Sequence, residues 1–154
     1  MGRLKELRKI VDQELLAIED ADKRKSAYVH LYGVSLSATL ISEKRKTSTE
    51  LACMAAMLHD LYAYKSGSYE DHAHKGAELA RNILNGLGLT TAEETEAICA
   101  AISRHDDKHT IDGPLDEVLK DADVMHHCLN DLSKPVKDKE IGRYAALRKE
   151  FGLH

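Results

Sequence analysis

The strongest indication of the fold comes from residues 51–60, which have the sequence LACMAAMLHD. Small and apolar side chains cover nearly all sides of the segment, so we expect it to form a central, buried helix. Thr47 and Glu50 have the spacing of a capping box and predict where the helix begins. The segment ends in His59 and Asp60, which places an imidazole and a carboxylate at the end of this buried helix.

Amphipathic helices are predicted on both sides of this segment, because apolar residues recur there at spacings of three and four. The stripes are Leu4, Leu7, Val11, Leu15 and Ile18; Ala27, Leu31, Val34, Ala38 and Ile41; Ala80, Ile83, Leu84 and Leu87; Ile98, Ala101 and Ile102; Leu115, Val118, Leu119 and Ala122; and Ile141, Tyr144 and Leu147. Thr91 and Glu94 form a second capping-box pattern, and Pro114 suits the first turn of a helix. Residues 62–71, YAYKSGSYED, predict an exposed loop.

The length of 154 residues and the lack of alternating strand patterns favour one compact domain. We predict an all-α fold of about six to seven helices that spans residues 1–154 as a single domain. Cys53, Cys99 and Cys128 lie far apart among apolar residues. They are expected to be packed free thiols in a reducing compartment.

Charge and hydropathy exclude several classes of function. The 22 Lys and Arg residues are outnumbered by 26 Asp and Glu residues, for a net charge of −4, and no basic block stands out. A polymeric nucleic-acid partner is therefore disfavoured. No apolar run reaches the roughly 20 residues of a membrane helix, and the charged, periodic N-terminus is unlike a signal peptide. These features predict a cytoplasmic protein without membrane association and leave its oligomeric state open.

Histidine is abundant, with nine residues, and several histidines fall on apolar stripes. A buried imidazole or carboxylate without a partner costs on the order of several kcal/mol, and convergence on one cation removes that cost for the whole group. The inward-facing candidates are His30, His59, Asp60, His72, His105 and one of Asp121 and Asp123, between which helical geometry does not decide. Imidazole with carboxylate suits Mn, Fe, Zn or Co better than calcium.

The order of these residues resembles the pattern H…HD…D of the HD-domain metal-dependent phosphohydrolases, which have an all-helical scaffold. His30 in VHLYGV resembles the first histidine of that family, and AAMLHD resembles the segment that ends in its HD pair. Asp123 in KDADVM resembles the final aspartate. The resemblance spans most of the chain and implies that His30, His59, Asp60 and Asp123 bind a divalent metal ion.

Two further segments, HAHKGAELA and AICAAISRH, resemble the parts of the family where two-metal members carry additional histidines. This implies that His72 and His105 hold a second ion, with Asp60 as a bridge. The sequence departs from many members of the family in two places. HDLYAY stands where they have HDIGK, and Asp106 stands where a second histidine often follows.

The resemblance implies hydrolysis of a phosphomonoester or phosphodiester of a nucleotide or a related small phosphorylated metabolite, by metal-activated water. The cofactor would be Mn, Fe, Co, Zn or Mg. The predicted catalytic residues are Asp60, Arg104 and Lys75, the last two as a phosphate clamp because they adjoin His105 and His72. Two alternatives stay open: a di-iron oxygenase of HD type, and a regulatory metal-binding module without catalysis.

The remaining aromatic and histidine residues have less definite roles. Tyr62, Tyr64 and Tyr69 follow the HD pair, where they are suited either to stack on a base or to pack at the rim of a site. The other histidines are expected at surfaces or in structural roles: His74, His109, His126, His127 and His154.

Overall fold

The computed structural model describes residues 2–154, and within this range it is all-helical, as predicted. The helices are α1 (Gly2–Leu16), α2 (Ala21–Arg45), α3 (Thr49–Leu58), α4 (Leu61–Ser66), α5 (His72–Leu87), α6 (Ala92–Arg104), α7 (Pro114–Asn130) and α8 (Ile141–Glu150), with a 3₁₀ turn at Asp138–Glu140 before α8. The short helix α4 lies in the segment predicted to be a loop, and this part of the prediction is wrong.

Helix α3 is the centre of the molecule. Every residue from Ala52 to Leu58 is buried, and α1, α2, α6 and α7 all pack against it. Its alanines allow the neighbouring helices to approach closely. All eight helices contribute buried apolar side chains to the cluster around it. The prediction of a central helix that is apolar on nearly all sides is confirmed.

The start of α3 differs from the predicted capping box. Ser48 is the N-cap, and its hydroxyl accepts a hydrogen bond from the backbone N–H of Leu51. Thr47 belongs instead to the end of α2, because its backbone N–H donates to the carbonyl of Ser42. Lys46 has φ 56° and makes the left-handed turn that this type of helix end requires. The second capping box, Thr91 with Glu94, is confirmed at the start of α6.

The fully buried Lys120 anchors the loop between α6 and α7 from the protein interior. Its ammonium donates to the carbonyl of Thr110 at 2.8 Å and to Oδ2 of Asp112 at 2.7 Å. Arg143 of α8 donates to the carbonyls of Lys108 and Thr110 in the same loop. These bonds fix the backbone of a segment that would otherwise have few apolar contacts.

Cys53 and Cys99 are buried and Cys128 is half-buried, and all three are free thiols, as expected. Among residues 2–154, no helix combines the length and the apolar composition that crossing a bilayer requires.

Candidate metal centre

Four ionisable side chains from different parts of the fold meet in the interior. His30 comes from the middle of α2, His59 and Asp60 from the junction of α3 and α4, and Asp123 from α7. His30 Nε2 lies 3.1 Å from His59 Nε2 and 2.9 Å from Asp60 Oδ2. Asp123 Oδ1 lies 3.4 Å from each of these two ring nitrogens. One ligand atom from each of the four residues therefore lies within 4.8 Å of the others, close enough for a single ion to bind all four.

A second group of donors shares Asp60 with the first. Asp60 Oδ1 lies 3.2 Å from His105 Nε2 and 3.5 Å from His72 Nε2. His105 follows α6, and His72 is the first residue of α5, where Asp71 turns the chain with a left-handed φ of 51°. The two oxygens of Asp60 thus face two different sets of histidine nitrogens.

Backbone carbonyls orient three of the four imidazoles. His59 Nδ1 donates to the carbonyl of Ala56 at 2.7 Å, and His105 Nδ1 donates to that of Ile102 at 2.6 Å. His72 Nδ1 makes the same bond three residues back, to the carbonyl of residue 69. Since a carbonyl can only accept, each Nδ1 carries a proton, so in the neutral form of each ring the lone pair lies on Nε2, which faces the carboxylates. This is the arrangement in which histidines bind metals.

Two carboxylate oxygens at this centre have no hydrogen-bond partner among the described residues, Asp60 Oδ1 and Asp123 Oδ1, and both are fully buried. The other oxygen of Asp123 accepts a hydrogen bond from the buried ammonium of Lys108 at 2.7 Å. A buried anionic oxygen left without a donor is costly. Because both oxygens face imidazole nitrogens, a divalent cation fits the centre: it would bind the oxygens and the lone pairs together.

The charged groups of the centre shift the pKa values of one another. Burial favours the neutral form of Asp60 and Asp123, but the neighbouring charges of His59 and Lys108 outweigh it and hold both carboxyl pKa values well below their usual range. Burial lowers the pKa of His59, but the two carboxylates outweigh burial and raise it to about 10. Without a cation, a proton on His59 therefore neutralises part of the negative charge, and a metal ion must displace it.

All the donors except the fully buried His59 line a cavity of about 360 Å³. Tyr64 and Tyr69 line it too, so two of the three tyrosines singled out in the sequence reach the site. Lys137 and Lys139 are also part of its lining, and Lys139 is paired with Asp106 at 2.9 Å. Asp106, which stands where members of the family often carry a second histidine, therefore forms an ion pair with Lys139.

The structure separates the roles of the two aspartates that helical geometry left open. Asp123 points into the centre, whereas Asp121 accepts hydrogen bonds from Arg45 at 2.7 Å and from Arg143 at 3.0 Å. These bonds connect α7 with α2 and α8. Asp121 is thus bound to two guanidinium groups on the far side of α7 from the donors.

The structure does not bring the predicted phosphate clamp to the cavity. Arg104 is half exposed, and its guanidinium is 3.2 Å from Asp116. The ammonium of Lys75 lies over the ring of Tyr62, 5.9 Å from its centre. Consecutive residues of a helix point about 100° apart, so the adjacency of Arg104 to His105 does not carry its side chain into the same space. Lys75 lies three residues after His72 on α5, but its side chain extends over Tyr62 instead.

Two histidines expected to have surface or structural roles, His126 and His127, lie beside the centre. The ring of His127 stacks on His30, with centroids 5.1 Å apart, and its Nε2 is 3.5 Å from Asp123 Oδ1. Its Nδ1 donates to the buried carboxylate of Glu140. The sequence signal for His127 was its spacing of four residues from Asp123 on α7, because this spacing places both side chains on one face of the helix. The ring of His126 lies edge-on to His30, with centroids 5.2 Å apart, and it packs against Gly33, where a Cβ atom would collide with it.

Comparison with known proteins agrees with this geometry. The family model of the HD domain matches residues 27–127, which contain every donor named above. The chain belongs to the HD domain family, and its cluster of histidines and aspartates is able to bind a metal ion.

Two further comparisons, one with a curated protein and one with a solved structure, extend this result. A protein of Bacillus subtilis (strain 168) named "Putative phosphohydrolase YueE" is 29% identical over 159 residues, an alignment that covers 88% of this chain and 90% of the relative. A crystal structure titled as a predicted HD superfamily hydrolase from an uncultured Thermotogales bacterium matches with a TM-score of 0.63 at 22% identity. That match covers 96% of this chain and 88% of the other, and it shows that the two share a fold.

Proposed function

We propose that this protein is a metal-dependent phosphohydrolase that cleaves a phosphomonoester or phosphodiester of a nucleotide or a related small phosphorylated metabolite. The observation that carries the proposal is the buried carboxylate of Asp60, whose two oxygens face two sets of histidine nitrogens. Membership of the HD family and the name of the Bacillus subtilis relative support the choice of phosphate esters.

The donors divide into two groups that would hold two divalent cations: His30, His59, Asp60 and Asp123 in one, and Asp60, His72 and His105 in the other. Cations in these positions supply Lewis acidity, which makes water a usable nucleophile near neutral pH and withdraws charge from phosphoryl oxygens. Mn, Fe, Co, Zn and Mg are the candidates.

Neighbouring groups of the protein orient the donors for metal binding. Lys108 holds one oxygen of Asp123, so the other oxygen stays aimed at the imidazoles. The backbone carbonyls behind His59, His72 and His105 keep each Nε2 free of a proton in the neutral ring. Little reorganisation is then needed when a cation binds.

Tyr64 lines the cavity, and we expect its hydroxyl to donate a hydrogen bond to a substrate oxygen. Burial raises the pKa of its phenol far above the usual range, and the nearby charges of Tyr69 and Asp60 raise it further. The phenol therefore keeps its proton at neutral pH. It can donate to an ester or phosphoryl oxygen, and it cannot act as a general base.

The experiment is a metal analysis of protein purified without chelator, followed by a panel of phosphate monoesters and diesters with Mn, Mg, Co, Zn and Fe added singly. We expect bound metal and metal-dependent phosphate release from at least one class of ester. Protein that is folded and metal-loaded but inert on the whole panel would contradict the proposal and favour the regulatory module.

A second candidate is a di-iron oxygenase of HD type, which the group of Asp60, His72 and His105 favours because it can hold a second ion beside the first. The same preparation separates the two functions. Iron as the retained metal, with oxygen uptake and no phosphate release, would identify the oxygenase. Phosphate release that persists without oxygen would identify the hydrolase.

A further inference from the structure

A second and larger cavity adjoins the one that contains the donors. Its volume is about 540 Å³, and its walls are the first turns of α2, the end of α7 and the segment 131–140. The two cavities share the side chains of His30, Tyr64, His127 and Lys137. One molecule can therefore extend from the donors into the larger space, which is of the size that binds small organic ligands.

The segment 131–140 is fastened beside this junction by a buried carboxylate. Glu140 is 1% exposed, and it accepts a hydrogen bond from Nδ1 of His127 at 3.1 Å. The backbone N–H of Glu140 donates to the carbonyl of Lys137 at 2.8 Å. The backbone of Lys137 is thus held at a fixed position relative to His127, at the boundary of the two cavities.

Three lysines line the smaller cavity, and they differ in what they bind. Lys108 donates to Asp123, and Lys139 donates to Asp106. The ammonium of Lys137 forms no ion pair and no hydrogen bond with any group of residues 2–154. An ammonium has three donors, so Lys137 is the cation of this cavity that is free to bind an anion.

We propose, on the basis of the proposed phosphohydrolase function, that Lys137 binds the phosphate of the substrate and that the larger cavity holds the alcohol part of the ester. The apolar wall of that cavity includes Val29 and Val136, and its polar wall includes Ser26 and Asn130. This mixture suits an alcohol of the size and polarity of a sugar or a nucleoside. The phosphate lies at the junction, within reach of both Lys137 and the donors.

The variants Lys137→Gln and Lys149→Gln test the phosphate contact. Both remove one exposed lysine charge, but Lys137 lines both cavities, whereas Lys149 lies on α8 and lines neither of them. We expect Lys137→Gln to raise KM about tenfold for every hydrolysed ester, as for the loss of a charge-assisted hydrogen bond, with unchanged metal content. Lys149→Gln should change KM by less than about twofold. Equal effects of the two substitutions would overturn the assignment.

Binding of inorganic phosphate to the metal-loaded protein, measured by calorimetry, separates this inference from the proposed function. Weaker binding to Lys137→Gln than to wild type supports the contact even if no ester is turned over, in which case the proposed function alone fails. Equal phosphate affinity of the two proteins would refute the contact whether or not the enzyme is active.

The variant Val29→Trp tests the larger cavity. Val29 lies on α2 with 43% of its surface exposed, so the helix can carry a larger side chain there without repacking the core. We expect a higher KM for a nucleoside monophosphate and an unchanged KM for ethyl phosphate, which does not reach the filled space. An equal effect on both esters, or none on either, would contradict the placement of the alcohol group.

Discussion

Asp123 and Asp121 lie two residues apart on α7, and both are nearly buried, yet their surroundings differ completely. Asp123 faces imidazole nitrogens and one ammonium, whereas Asp121 faces two guanidinium groups. The pair therefore offers a matched comparison of an aspartate at the centre with one that connects helices.

We predict that Asp123→Asn lowers the retained metal at least about tenfold, because the amide removes a charge from the donor set. Asp121→Asn should retain metal within about twofold of wild type but lower the free energy of unfolding by roughly 1–2 kcal/mol, since two guanidinium groups lose their anion. Metal content by mass spectrometry and urea unfolding measure the two effects. The reverse pattern would assign the centre to the wrong aspartate.

Lys108 is a buried cation whose removal leaves Asp123 without its donor. We predict that Lys108→Met lowers the free energy of unfolding of the metal-free protein by about 3 kcal/mol, because it strands a buried carboxylate. Saturation with metal should recover part of the loss, since the cation then compensates Asp123. Urea unfolding with chelator and with added metal measures the difference. An equal loss in both conditions would mean that the carboxylate is not part of the metal centre.

At the scale of single residues, the sequence predicted those donors that lie in or at the ends of periodic helices. His30 falls on an apolar stripe, and the HD pair ends the most apolar helix of the chain. The structure brings these predicted donors together. It could not be foreseen that Lys108 pairs with Asp123, because Lys108 lies in a loop, where side-chain direction follows no period.

Among the helices, α3 begins differently from the way that the sequence pattern predicts. Ser48 caps the helix, while the hydroxyl of Thr47 is buried without a hydrogen-bond partner in the described chain. The pattern was misleading because Thr47 donates its backbone N–H to the preceding helix. Once that bond closes α2, the next residue is the first that can cap α3.

We predict that Ser48→Ala lowers the free energy of unfolding by about 1 kcal/mol, the usual cost of losing an N-cap. Thr47→Val should leave it unchanged or slightly raised, because a buried hydroxyl without a partner is replaced by a methyl group of similar size. Urea unfolding of both variants is the measurement. A larger loss for Thr47→Val than for Ser48→Ala would restore the capping box that the sequence pattern indicates.

Helix α8 is fastened to α2 by Arg45 and Glu150, and this contact gives the fold a pH dependence. The hydrogen bond from Arg45 lowers the pKa of Glu150 below its usual value. The stabilisation is therefore present above the pKa that the carboxyl has in the unfolded chain, and it is lost as the pH falls through the lower folded value.

We predict that Glu150→Gln costs roughly 0.5–1 kcal/mol of unfolding free energy at pH 6, a magnitude set by the partial exposure of the pair. The cost should shrink toward zero as the pH falls below about 4. Chemical unfolding of variant and wild type over this pH range provides the test. If the difference in unfolding free energy instead grows toward acid, the pKa of Glu150 is not lowered by Arg45.

The helices themselves were largely predictable because each long one buries a periodic stripe. The short helix α4 was not, since only Leu61 and Ala63 are buried in it, too few to show a period. Gly67, with φ 73°, ends the helix just where the sequence indicated a turn. The glycine signal was correct, and the element before it was too short to be recognised.

For the molecule as a whole, the fold explains why a small protein can hold so many buried ionisable groups. α2, α3 and α7 pack directly on one another, and each brings donors to the same point. The loop with Lys108 and the segment with Glu140 then close the site from outside. Each buried charge has a partner of opposite sign or a place beside the proposed cations.

We expect Asp60 to join the two groups of donors and so to be required for both metal ions. The number of Mn²⁺ ions per chain, measured by mass spectrometry after reconstitution and gel filtration, tests this role. Wild type should retain about two ions and His72→Ala about one, whereas Asp60→Asn should retain almost none while keeping its helical circular dichroism. Asp60→Asn protein that keeps as many ions as wild type would contradict the account.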